Sequence, residues 1–424
     1  MTSTEEAEPI APDSRRRRTP RARGVVDSPY AWFRLVVALT LSTVGGVGMW
    51  SVVVALPAAQ AAFGVARGDA SLPYTLAMLG FGAGSMLMGR MSDRFGIMVP
   101  VIGGTLALGA GYAAAASSAS LWQYALAHGL LIGFGSAATF APLLAHMSLW
   151  FARRRGIAVG IFASGNYLAG AVWPPVVQHF IETAGWRGTF LGIGAFCVVT
   201  MLPLALALRR PPPHHDAGGA GLAAGPGHAD ALGLSPRALQ ALLVAAGVAC
   251  CVAMAMPQVH LVAYCGDLGY GAARGAQMLS LMLACGIVSR LTFGVICDRI
   301  GGLRTLLLGS ALQGVALVLF LPFDGLVSLY VISALFGLFQ GGIVPSYAII
   351  VREYFPGREA GSRVGVVITA TLVGMALGGW LSGAIFDLTG SYRAAFVNGI
   401  VWNLANLTIV TWLLRRTSLR PVPA

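Results

Sequence analysis

A lone guanidinium stands inside the apolar stretch Gln277–Cys297, at Arg290. Arginine keeps its proton at any relevant pH. Holding that charge at mid-bilayer costs roughly 3 kcal/mol on insertion scales. No other Arg, and no Lys, Asp or Glu, stands at comparable depth in any apolar segment of the chain. A charge kept at such a cost faces a cavity or a partner. With no carboxylate at matching depth, the complementary chemistry is that of an anionic ligand.

The rest of the chain excludes most other chemistry. Of its 424 residues 56% are apolar and only 10% charged, with a mean hydropathy of +0.75; soluble domains carry about 25% charged residues. These values describe a polytopic membrane protein. All 28 basic residues are arginines. Nothing matches G-x-x-x-x-G-K-[ST], so ATP-driven transport by this chain alone is not expected. There is no serine nucleophile elbow and no pair of catalytic carboxylates, so no enzyme is expected. Cys197, Cys250, Cys251, Cys265, Cys285 and Cys297 lie in or beside apolar spans without CxxC or zinc spacing, and read as packing residues. No metal or cofactor is expected. The net charge of +12 does not imply nucleic acid, because the arginines collect in one set of loops.

A membrane-crossing helix needs about 20 apolar residues, and twelve candidates are present. They run roughly over 33–57, 72–91, 98–117, 121–147, 157–180 and 187–208, then 238–264, 274–296, 303–322, 326–351, 363–385 and 393–414. With the N-terminus inside, the cytosolic loops receive most arginines, from Arg15–Arg23 to Arg415, Arg416 and Arg420, and the outer loops only Arg67, Arg187, Arg274 and Arg393. Twelve spans with both termini cytoplasmic, in an inner or plasma membrane, fit this asymmetry. The expected divisions are a disordered tail (1–30), an N-terminal six-helix bundle (31–209), a cytosolic linker (210–236), a C-terminal six-helix bundle (237–416) and a short tail (417–424). His214, His215 and His228 fall in the Pro/Gly/Ala linker and read as solvated. His146 and Trp150 read as interface anchors. Trp50, Tyr74, His128, Asn403 and Asn406 read as interhelical hydrogen-bonding groups.

The two halves repeat. Gly89-Arg90-Met91-Ser92-Asp93-Arg94-Phe95-Gly96 recurs as Gly294-Val295-Ile296-Cys297-Asp298-Arg299-Ile300-Gly301. Trp150-Phe151 recurs loosely as Tyr354-Phe355, and Trp186-Arg187 through Phe190 as Tyr392-Arg393 through Phe396. All three matches have nearly one offset. Parallel repeats of this kind place a substrate site between the halves near mid-membrane.

On these residues the chain resembles the major facilitator superfamily, over about residues 33–415. The resemblance implies an all-α membrane protein of twelve transmembrane helices in two pseudo-symmetric six-helix halves. It implies a conformational switch in the two loops, carried by Gly89, Asp93, Arg94 and Gly96, with Gly294, Asp298 and Arg299 in the copy. Asp93 would then sit near Gly361–Arg363, where a helix N-terminus favours an acid. The segment Trp150-Phe151-Ala152-Arg153-Arg154-Arg155-Gly156 through Gly165-Asn166 resembles the monocarboxylate and oxalate/formate branch. In that branch an arginine at the place of Arg290 pairs with the substrate carboxylate, and two parallel N–H···O bonds make arginine apt for it.

The resemblance extends to further candidate ligands. His260, after Pro257, is a ligand or proton-carrying group, or a hydrogen-bonded structural histidine. Asn166 follows Gly165 in the fifth span. Phe140 is a cavity aromatic or a packing residue. Gln340 precedes Gly341-Gly342, and Tyr347 is the other candidate of the tenth span. Two departures stand out. The acid that animal monocarboxylate carriers place one turn before the arginine is Gly286 here, and the second cation of oxalate exchangers falls near Thr371. One fixed cation matches a monoanion, since a second buried negative charge would stay unpaired.

The expectation is a secondary carrier of small organic anions, foremost monocarboxylates, working as a monomer in the bilayer by alternating access with proton symport or anion exchange. A drug/proton efflux carrier is the alternative, weakened by the missing intramembrane acid and Gly-Pro motif. A receptor on a carrier scaffold is the third.

Overall fold

The computed structural model describes residues 26–151, 153–210 and 233–418. Most of the expected N-terminal tail, the linker with His214, His215 and His228, and residues 419–424 lie outside the described residues. Among the described residues all regular structure is helical.

The first span is bent, as α1 (Pro29–Gly45), α2 (Val47–Val54) and α3 (Leu56–Phe63). A short α4 (Arg67–Ala70) leads into α5 (Leu72–Phe95), and α6 (Met98–Ala116) returns. The fourth span contains α7 (Leu121–Ala127), a π-helical turn (His128–Gly133), α8 (Phe134–Ala137) and α9 (Ala141–Met147). The fifth and sixth spans are α10 (Arg155–Ala163) and α11 (Gly165–Ala207), which breaks sharply at Gly185 (φ 71°, ψ 161°). The second half holds α12 (Pro236–Asp267), α13 (Ala272–Ile300), α14 (Gly302–Leu319), α15 (Leu326–Gln340), α16 (Ile343–Tyr354), α17 (Gly357–Thr389) and α18 (Tyr392–Ser418).

Ten segments are long and apolar enough to cross a membrane. One of them, Gly156–Ala207, has 52 residues and contains the Gly185 break, which divides it into two helices each long enough to cross. α5 has the length, with 24 residues, but its glycines and its Arg90–Arg94 end dilute its hydropathy. Counted with these, the described residues are consistent with twelve crossings.

Local chemistry starts these helices in a regular way. The Ser28 and Ser235 hydroxyls accept from the amides of Ala31 and Ala238, each at 3.2 Å, and a proline occupies the first turn behind each. Asp27 donates its amide to Trp150 O at 3.1 Å and its carboxylate accepts from the Arg153 amide at 3.0 Å, so residues 26–30 dock on the loop before α10. Trp150 and His146 are buried, and Trp150 lies under the Arg34 guanidinium at 4.2 Å. They pack the end of the first half; they are not lipid-facing anchors.

Two cores form. One is built only from residues between Ala31 and Leu208. The other draws on Leu239 to Leu413 and takes in Met49, Trp50, Tyr74, Met78 and Tyr167 from the first half. The repeat shows in the backbone. Gly96 (φ 79°, ψ 168°) and Gly301 (φ 82°, ψ 167°) end α5 and α13 in one conformation, each donating to the carbonyl four residues back at 2.9 Å. That region is open to glycine almost alone.

Between the halves, α11 packs on α13, and α4 and α5 pack on α17. Among the described residues, hydrogen bonds across the halves come from Arg67, Gly68, Thr75, Ser280 and Arg290, and none from the Asp93 or Asp298 loops. The bundle is therefore tied shut at the Arg67 end.

Candidate functional site

Arg290 sits where two helix interruptions meet. The fifth span breaks at Ser164, and the tenth at Gly341-Gly342. Interruptions free carbonyls from the helical ladder. Arg290 Nη1 donates to Ala163 O at 2.8 Å, and Nε to Gly341 O at a longer 3.4 Å. Its guanidinium also lies 4.6 Å from the Tyr167 ring centroid. Ser289 braces the same place by accepting the Gly341 amide at 3.0 Å. Thus Arg290 joins the first half, through Ala163 and Tyr167, to the second. Carbonyls and a ring solvate a guanidinium but do not neutralise it. Among the described residues no carboxylate pairs with Arg290, and Nη2 has no acceptor.

Gln340 adjoins this cluster. It is fully buried, and its Oε1 accepts from Gln258 Nε2 at 2.7 Å. Its own Nε2 finds no acceptor among the described residues. A buried amide donor left open is costly, and Gln340 directly precedes Gly341, whose carbonyl Arg290 holds. Asn166 is half-buried beside Tyr167, and its carbonyl accepts from Trp50 Nε1 at 3.4 Å. Phe140 starts the α9 segment and packs between Phe81 and Phe162, with centroids 6.4 and 6.1 Å away. Tyr347 is fully buried in the second half and donates to Asn406 Oδ1 at 3.1 Å, away from Arg290.

His260 belongs to a different cluster. Its Nε2 is 2.7 Å from Gly379 O and its Nδ1 3.2 Å from the Tyr392 hydroxyl. Tyr392 in turn accepts from Arg67 Nη1. Arg67 grips Asp267 with two bonds, at 3.0 and 3.2 Å, while Asp387 accepts the Arg67 and Gly68 amides at 2.8 and 2.6 Å. Burial works against the charge on Arg67, but Tyr392 and Asp267 outweigh it and raise its pKa above the ordinary guanidinium value. The backbones come close because Gly68, Gly379 and Gly383 lack side chains; a Cβ on Gly383 would lie 2.8 Å from Arg67 O. Sequence reasoning left Arg67 as an outer-loop charge and did not single out Asp267 or Asp387. Their opposite signs at one end of the bundle were the only available signal.

The switch loops are open. Asp93, Arg94, Asp298 and Arg299 are exposed, and Gly89 and Gly294 face free space. The expected contact of Asp93 with Gly361–Arg363 is not formed among the described residues. Arg363 is held by Glu359 at 2.8 Å and by Gln240 at 3.4 Å. Thr371 is turned into the second half, toward Gly247, and bonds Ile368 O at 2.7 Å. Toward the Asp93 end α17 presents Thr369, Leu372 and Val373 to α5. They line a cleft of about 260 Å³ with Met78, Leu79, Gly82, Ala83 and Met86. That cleft also lacks a cation.

Comparison with known proteins agrees with this architecture. The sequence profile of the Major Facilitator Superfamily matches residues 38–332 and 266–423. The chain is 30% identical over 322 residues to monocarboxylate transporter 13 of Bos taurus, covering 74% of this chain and 73% of that protein. It is 30% identical over 403 residues to monocarboxylate transporter 11 of Homo sapiens, covering 89% and 82%. The MFS transporter asaE of Aspergillus flavus is 27% identical over 316 residues, covering 72% and 68%. Among solved structures, the fold is similar to a bacterial homologue of the human lysosomal transporter Spinster, inward-facing and unoccupied. That likeness has a TM-score of 0.66 at 15% identity, over 93% of this chain and 99% of that one. The chain is a multi-pass membrane transporter that belongs to the major facilitator superfamily and is a relative of its monocarboxylate transporters.

Proposed function

We propose that the protein is a secondary carrier of small organic monoanions, foremost monocarboxylates. The observation that carries this reading is Arg290. It is an intramembrane cation held by neutral carbonyls from both halves and unpaired with any carboxylate among the described residues. A substrate carboxylate can take the open Nη2 together with a neighbouring N–H, and a charge-assisted pair is stronger than a bond to a neutral carbonyl. Gln340 Nε2 offers a second donor. The names of the relatives support the same substrate class. One cation balances one carboxylate; a dianion would leave a buried charge unpaired.

In this reading the Asp93 end, with both termini, faces the cytosol at an inner or plasma membrane and the Arg67 end faces outside, as the excess of arginine in the loops of the Asp93 side supports. The contacts described above then belong to a state closed outside. The Asp93 loop would engage Gly361–Arg363 in the opposite state, when the halves rock together at the cytosolic end. Transport is driven by a proton gradient or by exchange for a second anion, and the protein works as a monomer.

Uptake of labelled lactate, pyruvate, acetate and oxalate into proteoliposomes, with and without a pH gradient, tests this reading. Monocarboxylates are expected to enter and oxalate to be rejected. Wild-type uptake by Arg290→Ala would remove the central claim, and transport of cationic drugs alone would favour efflux.

A further inference from the structure

We infer that His260 is the proton-binding site of this carrier, and that its proton acts on the closed outer end through Tyr392 and Arg67, not on the substrate. The inference rests on the carrier reading above and adds the coupling group to it.

Donor and acceptor roles in the cluster are fixed by chemistry. The Gly379 carbonyl can only accept, so His260 Nε2 carries the hydrogen of their 2.7 Å bond. The Arg67 guanidinium can only donate, so the Tyr392 oxygen accepts from it, and the Tyr392 hydrogen is left for His260 Nδ1 at 3.2 Å. The closed arrangement therefore uses an unprotonated Nδ1. A proton there turns the acceptor into a donor. The Tyr392 oxygen would then face two donors, and its own hydrogen would have to turn away from both. The imidazolium also adds a cation beside Arg67.

The groups around His260 leave this effect uncompensated. Its own helix α12 supplies Tyr264 and Asp267, and Asp267 is already gripped by Arg67. From α17 comes Asp387, which is committed to the amides of Arg67 and Gly68. From α18 comes Tyr392, from α4 Arg67, and from α5 the Tyr74 ring against Gly379. Arg67 and Asp387 are the charges that reach His260 electrostatically. Protonation thus loosens the tie between Arg67 and α18, and with it the contact of α4 with the second half. His128 is equally buried, but it bonds only Tyr124 O within its own helix, so a proton there touches nothing between the halves.

The test is a distance measurement on full-length protein in nanodiscs without substrate. Spin labels go on Ala119→Cys and Pro322→Cys, which are exposed loop positions in the two halves at the Arg67 end. The parent is expected to shift to longer separations between pH 8 and pH 4, since His260 is fully buried and burial disfavours the charged form. His260→Gln, which keeps a polar side chain but takes no proton, and Tyr392→Phe, which keeps the histidine but cuts the link, are both expected to lose that shift. A parent that ignores pH, or a His260→Gln that responds like the parent, overturns the inference. In proteoliposomes His260→Gln is expected to lose uptake driven by a pH gradient and to keep lactate counterflow at equal pH; loss of neither overturns it as well. A parent that carries no monocarboxylate overturns the substrate reading alone, because the distance measurement uses no substrate.

Discussion

Tyr167 occupies the space in front of Gly286: a Cβ built on Gly286 would lie 2.4 Å from its Cε1. The same ring lies 4.6 Å under the Arg290 guanidinium. The place one turn before the arginine is here filled by an aromatic from the other half. The ring gives Arg290 a π-face in place of a counter-ion; in the proposed carrier this leaves the cation's charge for the substrate.

Gly286→Asp is accordingly expected to damage the protein and not to create a proton site. Overpacking of a close-packed site costs about 1–3 kcal/mol, read as a lower midpoint of thermal unfolding in detergent. Adding Tyr167→Ala should recover part of the loss. A Gly286→Asp protein as stable as the parent would contradict the geometry.

Arg290→Lys tests whether the site needs a fork or only a charge. Lysine cannot donate two parallel bonds or stack on Tyr167 in the same way. Losing a charged hydrogen bond costs about 1.5–3 kcal/mol. The KM for lactate should rise roughly tenfold or more, with proton dependence retained. An unchanged KM would mean that carboxylate geometry is not read by this residue.

Arg67→Ala should favour the state open at the Arg67 end. The partner Asp267 is 37% exposed, so the pair's worth is discounted toward about 1 kcal/mol. Ser71 is fully buried behind the pair. A cysteine placed there by Ser71→Cys should react with an impermeant maleimide several-fold faster in Arg67→Ala than in the parent. Equal rates would show that the ion pair does not hold this end shut.

Arg34 offers a contrast. It is fully buried, bonds Arg210 O at 3.0 Å and Leu208 O at 3.2 Å, and lies over Trp150. Its cation closes the C-terminal end of α11, where exposed carbonyls favour positive charge. Arg34→Ala should lower stability by about 2 kcal/mol and leave the lactate KM unchanged. A selective effect on KM would place Arg34 in the substrate path.

The sequence alone determined the membrane class, the spans, the two-fold repeat and the isolation of Arg290, because these rest on composition, segment length and charge. It also carried the glycines of the two loops, since Gly96 and Gly301 require a backbone that other residues avoid. Tertiary structure alone decided what each polar side chain faces. His260 meets Tyr392 across 132 residues and Gly379 across 119, and Arg67 meets Asp267 across 200. Helices rich in Gly and Ala have weak amphipathic phase, so helical periodicity does not say which way His260, Tyr347 or Thr371 points. The breaks at Ser164 and Gly341 were hidden for the same reason: they depend on Arg290 and Ser289 taking up the freed backbone groups, and those partners come from another helix.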